Sequence, residues 1–144
     1  MPRRPLDLHD PCNPLQLKII TTMVVNPIHG GAIHCLFCGG KECKYEKHTH
    51  EAWRGQRFAI DGLHSQWITP DILAMQRPST RLLDEYSLVE KFRLNRLGAV
   101  FNLQQQGEHA SCGDGIEPAS GFSYLPESFM DNGIYYVTHA SRAG

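Results

Sequence analysis

Apolar and polar positions follow their clearest pattern from residue 68 onward. The apolar run over residues 68–75 predicts a short strand. Over residues 80–97 the apolar positions recur with helical spacing, and Ser79 or Thr80 stands where an N-cap residue is expected. Gly98 follows where a C-terminal cap belongs. This stretch therefore predicts a strand followed by one long helix.

The predicted elements continue to residue 137. Residues 99–103 indicate a strand of the buried type, which completes half of a βαβ unit. A loop over 104–121 leads to one or two helical turns that begin at Pro126, and residues 134–137 predict another strand. Strands that alternate with helical segments in this way are typical of an α/β fold.

The first part of the chain is less regular, because prolines and a glycine pair interrupt any long periodic element. A weak strand or short helix over 19–25 and a short helix over 52–60 are the predictions there. The pattern divides the chain into a poorly ordered leader at 1–33, a Cys/His-rich extension at 34–66, an α/β segment at 67–137 and a tail at 138–144.

Composition excludes several classes of function. Hydrophobic residues make up 41% of the chain, charged residues 20%, and the formal net charge is −1, which are ordinary values for a globular protein. This balance gives no general attraction to nucleic acid or to a membrane surface. The five cysteines are odd in number and irregularly spaced, so we expect a reducing, cytoplasmic setting rather than a disulfide framework.

The stretch "EHASCGDG" places Cys112 among glycines, as in a loop that cradles phosphate. A phosphatase cysteine also needs an arginine six positions later, which lowers the thiol pKa and grips the phosphate. Pro118 stands there after Cys112, and no other cysteine of the chain is followed by arginine at this distance. Asp114 and Glu117 would also repel phosphate. We therefore interpret Cys112 as a partly buried loop cysteine.

A zinc site is the second candidate. Cys35, Cys38 and Cys43 are spaced as Cys-x2-Cys-x4-Cys, and His34 lies beside them. No second cysteine pair stands at the usual distance, and a closed site within the 17 residues of 34–50 would be geometrically tight. The alternative is a solvated loop with incidental thiols. The sequence indicates no other cofactor, because Walker and dinucleotide-binding motifs are absent.

Four stretches together resemble the atypical dual-specificity branch of the cysteine-dependent protein tyrosine phosphatases. They are "CGGKECKYE", "ILAMQRPST", "NLQQQGEHASCG" and "SGFSYLPESFMDNGIYY", and they extend over residues 38–136. The resemblance implies a three-layer α/β phosphatase domain around a mostly parallel sheet, of which this chain holds the N-terminal part. It also implies a phosphoprotein substrate, hydrolysed through a phosphocysteine intermediate with an aspartate as general acid.

The resemblance ends at Tyr136, and residues 138–144 diverge from the family. In the family the general acid and the Cys-x5-Arg loop lie further on, so we expect this chain to be inactive as written, with no catalytic residue of its own.

By family placement, the remaining part of the substrate-cleft wall is Arg77, Gln104, Glu108 and His109. Gln105 and Gln106 replace an Arg-Pro pair of the family, which removes a base beside the cleft.

Two other interpretations stay open. The chain can act as a non-catalytic protein-binding module, or residues 34–50 can form a small zinc-binding module. We expect no nucleic-acid or membrane partner, and the sequence leaves the oligomeric state open.

Overall fold

The computed structural model describes residues 18–22, 39–47 and 51–138. Their strands and α-helices, in chain order, are β1 Lys18–Thr22, β2 Ser65–Thr69, β3 Ile72–Met75, α1 Thr80–Glu85, α2 Leu88–Leu94, β4 Leu97–Asn102, α3 Glu127–Met130 and β5 Tyr135–Thr138. Three short 3₁₀ turns precede β2, at Gly40–Glu42, Lys44–Glu46 and Glu51–Trp53. The α/β class predicted from the sequence is confirmed.

The five strands form one sheet in the order β2-β3-β1-β4-β5. β1 is parallel to both of its neighbours, β3 and β4, and β4 is parallel to β5. Only the outer pair, β2 and β3, is antiparallel. The sheet is therefore mostly parallel, and β1 joins its two halves.

The central position of β1 bears on one expectation. Residues 1–33 were predicted to be a poorly ordered leader in which a weak strand or a short helix could form over 19–25, and Lys18–Thr22 is a strand that pairs along both of its edges. The β-branched residues of "KIITT" favour an extended backbone, and pairing with two neighbours completes the strand. The rest of the predicted leader lies outside the described residues.

Two predicted elements are divided in the structure. The strand predicted over 68–75 is a hairpin of β2 and β3, whose turn is supported by the Asp71 amide donating to Thr69 Oγ1 at 3.2 Å. The helix predicted over 80–97 is two helices, because Ser87 between them has the left-handed backbone angles φ 50° and ψ 46°. Ser79 caps α1 as predicted: its Oγ accepts from the Leu82 amide at 3.3 Å.

Other boundaries shift by a few residues. Gly98 does not cap a helix, since it lies inside β4, and Arg96 takes the left-handed conformation after α2 instead. The helix predicted over 52–60 is only the 3₁₀ turn Glu51–Trp53. The helical turn that begins after Pro126 and the last strand are confirmed as α3 and β5.

The core lies between the helices and the sheet. Its fully buried members include Leu73, Leu82, Leu88, Phe92, Val100, Tyr124 and Phe129. Ile60 and Leu63 are buried in the same core, and Ser65 begins β2. The buried residues therefore continue across the boundary predicted between residues 66 and 67, and the end of the Cys/His-rich extension packs in the same core.

A chain of polar groups joins the last two strands. Asn102 Nδ2 donates to Tyr136 Oη at 2.7 Å, and the Tyr136 and Tyr124 hydroxyls are 3.2 Å apart. Burial raises the pKa of Tyr124 far above its ordinary value, so this hydroxyl keeps its proton.

Within the described ranges, no helix has both the length and the apolar character needed to cross a bilayer.

The break at Ser87 gives the first testable prediction. Ser87→Gly is expected to raise the free energy of unfolding by about 0.5–1 kcal/mol, because glycine adopts a left-handed backbone without strain and the Ser87 side chain makes no capping bond. Ser128→Gly, inside α3, is the matched control and is expected to lower stability by a similar amount. Urea unfolding measures both. A destabilised Ser87→Gly would contradict the division of the helix.

Candidate functional site

Cys112 lies in the long loop between β4 and α3, which we call the Cys112 loop and which spans residues 103–126. Its side chain is only 1% exposed and packs against Cys43, with Tyr45 at the edge of the cluster. The segment 39–47 therefore covers the loop at the position of Cys112. The expectation of a partly buried loop cysteine understated its burial.

Arg77 lies directly after β3 and points inward at the Cys112 loop. Its Nη2 donates to the carbonyl of Cys112 at 3.1 Å, and its Nη1 donates to the carbonyl of Gly115 at 3.4 Å. The same Nη2 is 3.0 Å from Glu46 Oε1. The Arg77 side chain is 11% exposed and that of Glu46 is 3% exposed, so this ion pair is shielded from water.

Glu46 connects the segment 39–47 to the loop through its other oxygen. Oε2 accepts from the Asp114 amide at 2.9 Å, and the neighbouring Gly113 amide donates to the carbonyl of Gly40 at 2.8 Å. Gly113 has a φ of 52°, and a Cβ at this position would overlap the Glu46 carboxylate. Glycine is required here for both reasons.

The acidic residues of the loop bind the start of α1. Asp114 accepts from Ser79 Oγ at 2.5 Å and from Arg81 Nε at 3.0 Å. Glu117 accepts from Thr80 Oγ1 at 2.6 Å. These carboxylates, which the sequence suggested would repel phosphate, are used to fasten the loop to a helix N-terminus.

The pKa values of the buried Glu46 carboxyl and of the more exposed Asp114 carboxyl shift in opposite directions. Burial raises the pKa of Glu46, against the lowering effects of the Asp114 amide and of Arg77. Burial also acts to raise the pKa of Asp114, but the hydrogen bonds from Ser79 and Arg81 outweigh it, and this pKa lies below its ordinary value. Asp114 is consequently ionised at neutral pH and holds its partners as a charged acceptor.

The four residues predicted to line a substrate cleft are divided between two environments. Arg77 is enclosed by the Cys112 loop and Glu46. Gln104 is 7% exposed, and its backbone N–H donates to Asn102 Oδ1 at 3.0 Å. Glu108 and His109 are about a fifth exposed, and His109 Nε2 is 3.4 Å from Glu108 Oε1. His109 Nδ1 is 3.5 Å from the sulfur of Cys112. The structure thus brings Arg77 and His109 to the same cysteine, one at its carbonyl and one at its side chain.

The proposed metal ligands are only partly described. Cys43 is buried against Cys112, whereas His34, Cys35 and Cys38 lie outside the described residues. Among the described residues, no group of three histidine, cysteine or acidic side chains is arranged to hold a metal ion.

Sequence reasoning missed Glu46, Ser79 and Asp114 as members of the site. Glu46 stands in the stretch "CGGKECKYE", far from the loop in sequence, and nothing local marks its partner.

Taken together, an arginine, a histidine and several backbone amides surround Cys112, but they bind carbonyls and carboxylates of the chain itself. We call the contacts among Arg77, Glu46 and Asp114 the Arg77 clamp.

The clamp gives the second prediction. Arg77→Met leaves the buried Glu46 carboxylate without its counter-ion and is expected to cost about 3–5 kcal/mol of unfolding free energy near neutral pH. The loss should shrink on acidification, because the raised pKa of Glu46 lets the carboxyl take up a proton as the pH falls. Urea unfolding at two pH values measures both effects.

Two further variants control for other causes of a loss of unfolding free energy in Arg77→Met. Arg93→Met removes an exposed arginine paired with Glu90 and is expected to cost at most about 1 kcal/mol. Glu46→Gln combined with Arg77→Met should recover part of the loss, because no buried charge remains. Equal costs for Arg77→Met and Arg93→Met would contradict the clamp.

Comparison with known proteins identifies relatives of this chain. The Bos taurus protein named protein tyrosine phosphatase domain-containing protein 1 is 49% identical over 107 residues, which are 74% of this chain and 13% of that protein. The proteins of the same name from Danio rerio and Mus musculus are 48% and 50% identical, over 74% and 69% of this chain and 15% and 13% of their own lengths. No protein-family model and no solved structure matches the chain.

Identity near one half over most of the chain confirms the resemblance that the four sequence stretches indicated. The chain spans 13% to 15% of the length of these relatives. It belongs to the family of the proteins named protein tyrosine phosphatase domain-containing protein 1.

Proposed function

We propose that this chain carries the N-terminal, non-nucleophilic part of a cysteine-dependent phosphatase domain and that it hydrolyses no phosphate ester by itself. The observation that carries the proposal is the enclosure of Cys112, whose sulfur is buried and whose carbonyl is held by Arg77. The mostly parallel sheet and the identity to phosphatase-domain proteins support the phosphatase-type architecture.

A phosphatase nucleophile needs three things that the Cys112 loop lacks. Its thiolate must be reachable by a phosphate, backbone amides must point at that phosphate, and an arginine fork must grip it. Here the Gly113 and Asp114 amides bind Gly40 and Glu46, and the fork of Arg77 is occupied by Glu46 and two carbonyls. Within the 144 residues, no cysteine has an arginine six positions later.

We assign the loop a supporting role instead. Glu108 and His109 are the two predicted wall residues that solvent reaches, and they are the part of the loop that would face a substrate. Arg77 and Gln104 stand behind them and fix the path of the backbone. A phosphoprotein is the substrate class proposed for the complete domain, in a reducing cytoplasmic setting and with no cofactor.

An assay with an aryl phosphate tests the proposal. The purified chain, Cys112→Ser and Cys43→Ser are each incubated with p-nitrophenyl phosphate, and the release of nitrophenolate is followed. We expect no hydrolysis above the buffer rate in any of the three, because neither thiol has a phosphate-binding arginine.

The two cysteine variants are matched, because both remove a sulfur from the same buried cluster. A cooperative urea transition for each protein confirms that an inactive sample is folded. Hydrolysis that is lost in Cys112→Ser and retained in Cys43→Ser would overturn the proposal, since it would identify Cys112 as the nucleophile.

A further inference from the structure

Cys43 and Cys112 are far apart in sequence but adjacent in the fold. Both are buried thiols, and their side chains form one small cluster with Tyr45 packed against it. The cluster is separate from the main core between sheet and helices. It lies where the segment 39–47 meets the Cys112 loop.

The backbone around the two cysteines is held in register on both sides. Gly40 accepts from the Gly113 amide at 2.8 Å, and Glu46 accepts from the Asp114 amide at 2.9 Å. Cys43 lies between the two acceptors in sequence, and Cys112 directly precedes the two donors. A disulfide requires two Cβ atoms close together in a constrained geometry, and these bonds hold the two segments side by side.

A histidine ring nitrogen stands beside one of the sulfurs. His109 Nδ1 is 3.5 Å from Cys112 Sγ, and its other ring nitrogen is 3.4 Å from Glu108 Oε1. The thiolate is the form of cysteine that reacts with oxidants, and a neighbouring imidazole that takes the proton favours it. His109 has a positive φ of 59°, a conformation that is uncommon for a residue other than glycine.

We propose that Cys43 and Cys112 form a dithiol site that a hydroperoxide oxidises to a disulfide. The Cys112 thiol gives its proton to His109, and the thiolate attacks the O–O bond of hydrogen peroxide. A sulfenic acid forms at Cys112, and the displaced hydroxide leaves as water after taking up that proton. The oxidation is a two-electron step in which the peroxide is reduced.

Cys43 completes the reaction. Its sulfur attacks the sulfenic sulfur, the S–S bond forms, and the S–OH bond breaks. The departing hydroxide takes the Cys43 proton and leaves as a second water. Two thiols and one peroxide thus give one disulfide and two waters. The product joins covalently the two segments that Glu46 and Asp114 already join by a hydrogen bond, and a thiol reductant reverses it.

Peptide mapping tests the proposal on the full chain. The folded protein is treated with hydrogen peroxide, the remaining thiols are alkylated, and the sample is digested with trypsin without reduction. We expect residues 42–44, which contain Cys43, to be linked to residues 97–142, which contain Cys112. This linked peptide should be the main disulfide product among the five cysteines, and it should disappear after treatment with a thiol reductant.

A denatured sample is the reference that needs no substitution. In urea the same oxidation should give a mixture of cysteine pairings, because the fold no longer selects Cys43 and Cys112. Cys43→Ser and Cys112→Ser should each lose the linked peptide, whereas Cys12→Ser should retain it.

Several results would overturn the proposal. The first is the same mixture of cysteine pairings in the folded and denatured samples. The second is a folded sample in which Cys112 links mainly to a cysteine other than Cys43. The third is irreversible oxidation of Cys112 without formation of a disulfide. Tightly bound zinc that protects both thiols until a chelator is added would also overturn it, because Cys43 and Cys112 would then be metal ligands.

Discussion

The ion pair between Arg77 and Glu46 is the contact on which the arrangement of this protein depends, because three separate segments meet there. Arg77 follows β3, Glu46 belongs to the segment 39–47, and the Arg77 guanidinium also binds carbonyls of the Cys112 loop. Burying two charges is costly, and their attraction offsets the cost only when hydrogen bonds satisfy the remaining atoms. The Asp114 amide donates to Glu46 Oε2, and the carbonyls of Cys112 and Gly115 accept from the Arg77 guanidinium, while Glu46 Oε1 makes the ion-pair contact itself. The pair therefore selects one arrangement of the three segments.

The same contact also sets the directions of the polar groups in a loop that resembles a phosphate cradle. A cysteine, an arginine and backbone amides lie close together, which is the set of groups that binds phosphate in a cysteine phosphatase. Their directions differ from what that chemistry needs. Arg77 faces carbonyl oxygens and a carboxylate, the amides of Gly113 and Asp114 are occupied, and the sulfur of Cys112 points into a buried cluster. Groups that could bind an anion are consumed in holding the loop.

Local sequence patterns predicted the elements whose signals are local. Ser79 as N-cap, the helical turn after Pro126 and strand β4 were expected from residues within a few positions of one another. The break at Ser87 escaped prediction, because its apolar neighbours keep helical spacing across it. The central place of β1 also escaped, since a five-residue strand owes its position to pairing with β3 and β4 rather than to its own pattern.

The site was less predictable than the fold, because its contacts join residues that are far apart in sequence. The sequence interpreted Cys112 as a loop cysteine rather than a nucleophile, and that interpretation needed only the residue six positions later. The Arg77 clamp could not be found in this way. Glu46 and Asp114 are 68 positions apart, and an acid in a short 3₁₀ turn carries no sign that it will be buried against an arginine. Among the residues of the clamp region, Gly113 comes closest to a sequence signal for these contacts, since a left-handed glycine marks a place where another segment approaches the backbone closely.

Amide hydrogen exchange of the Cys112 loop tests the clamp most directly. If the Arg77 clamp holds the loop to the rest of the fold, the amides of Gly113 and Asp114 should open with a free energy within about 1 kcal/mol of that of Val100 in β4. Exchange of both amides within about tenfold of the rate of an unprotected peptide, while Val100 stays protected, would show that the loop opens independently. That result would contradict the central place given to the ion pair of Arg77 and Glu46.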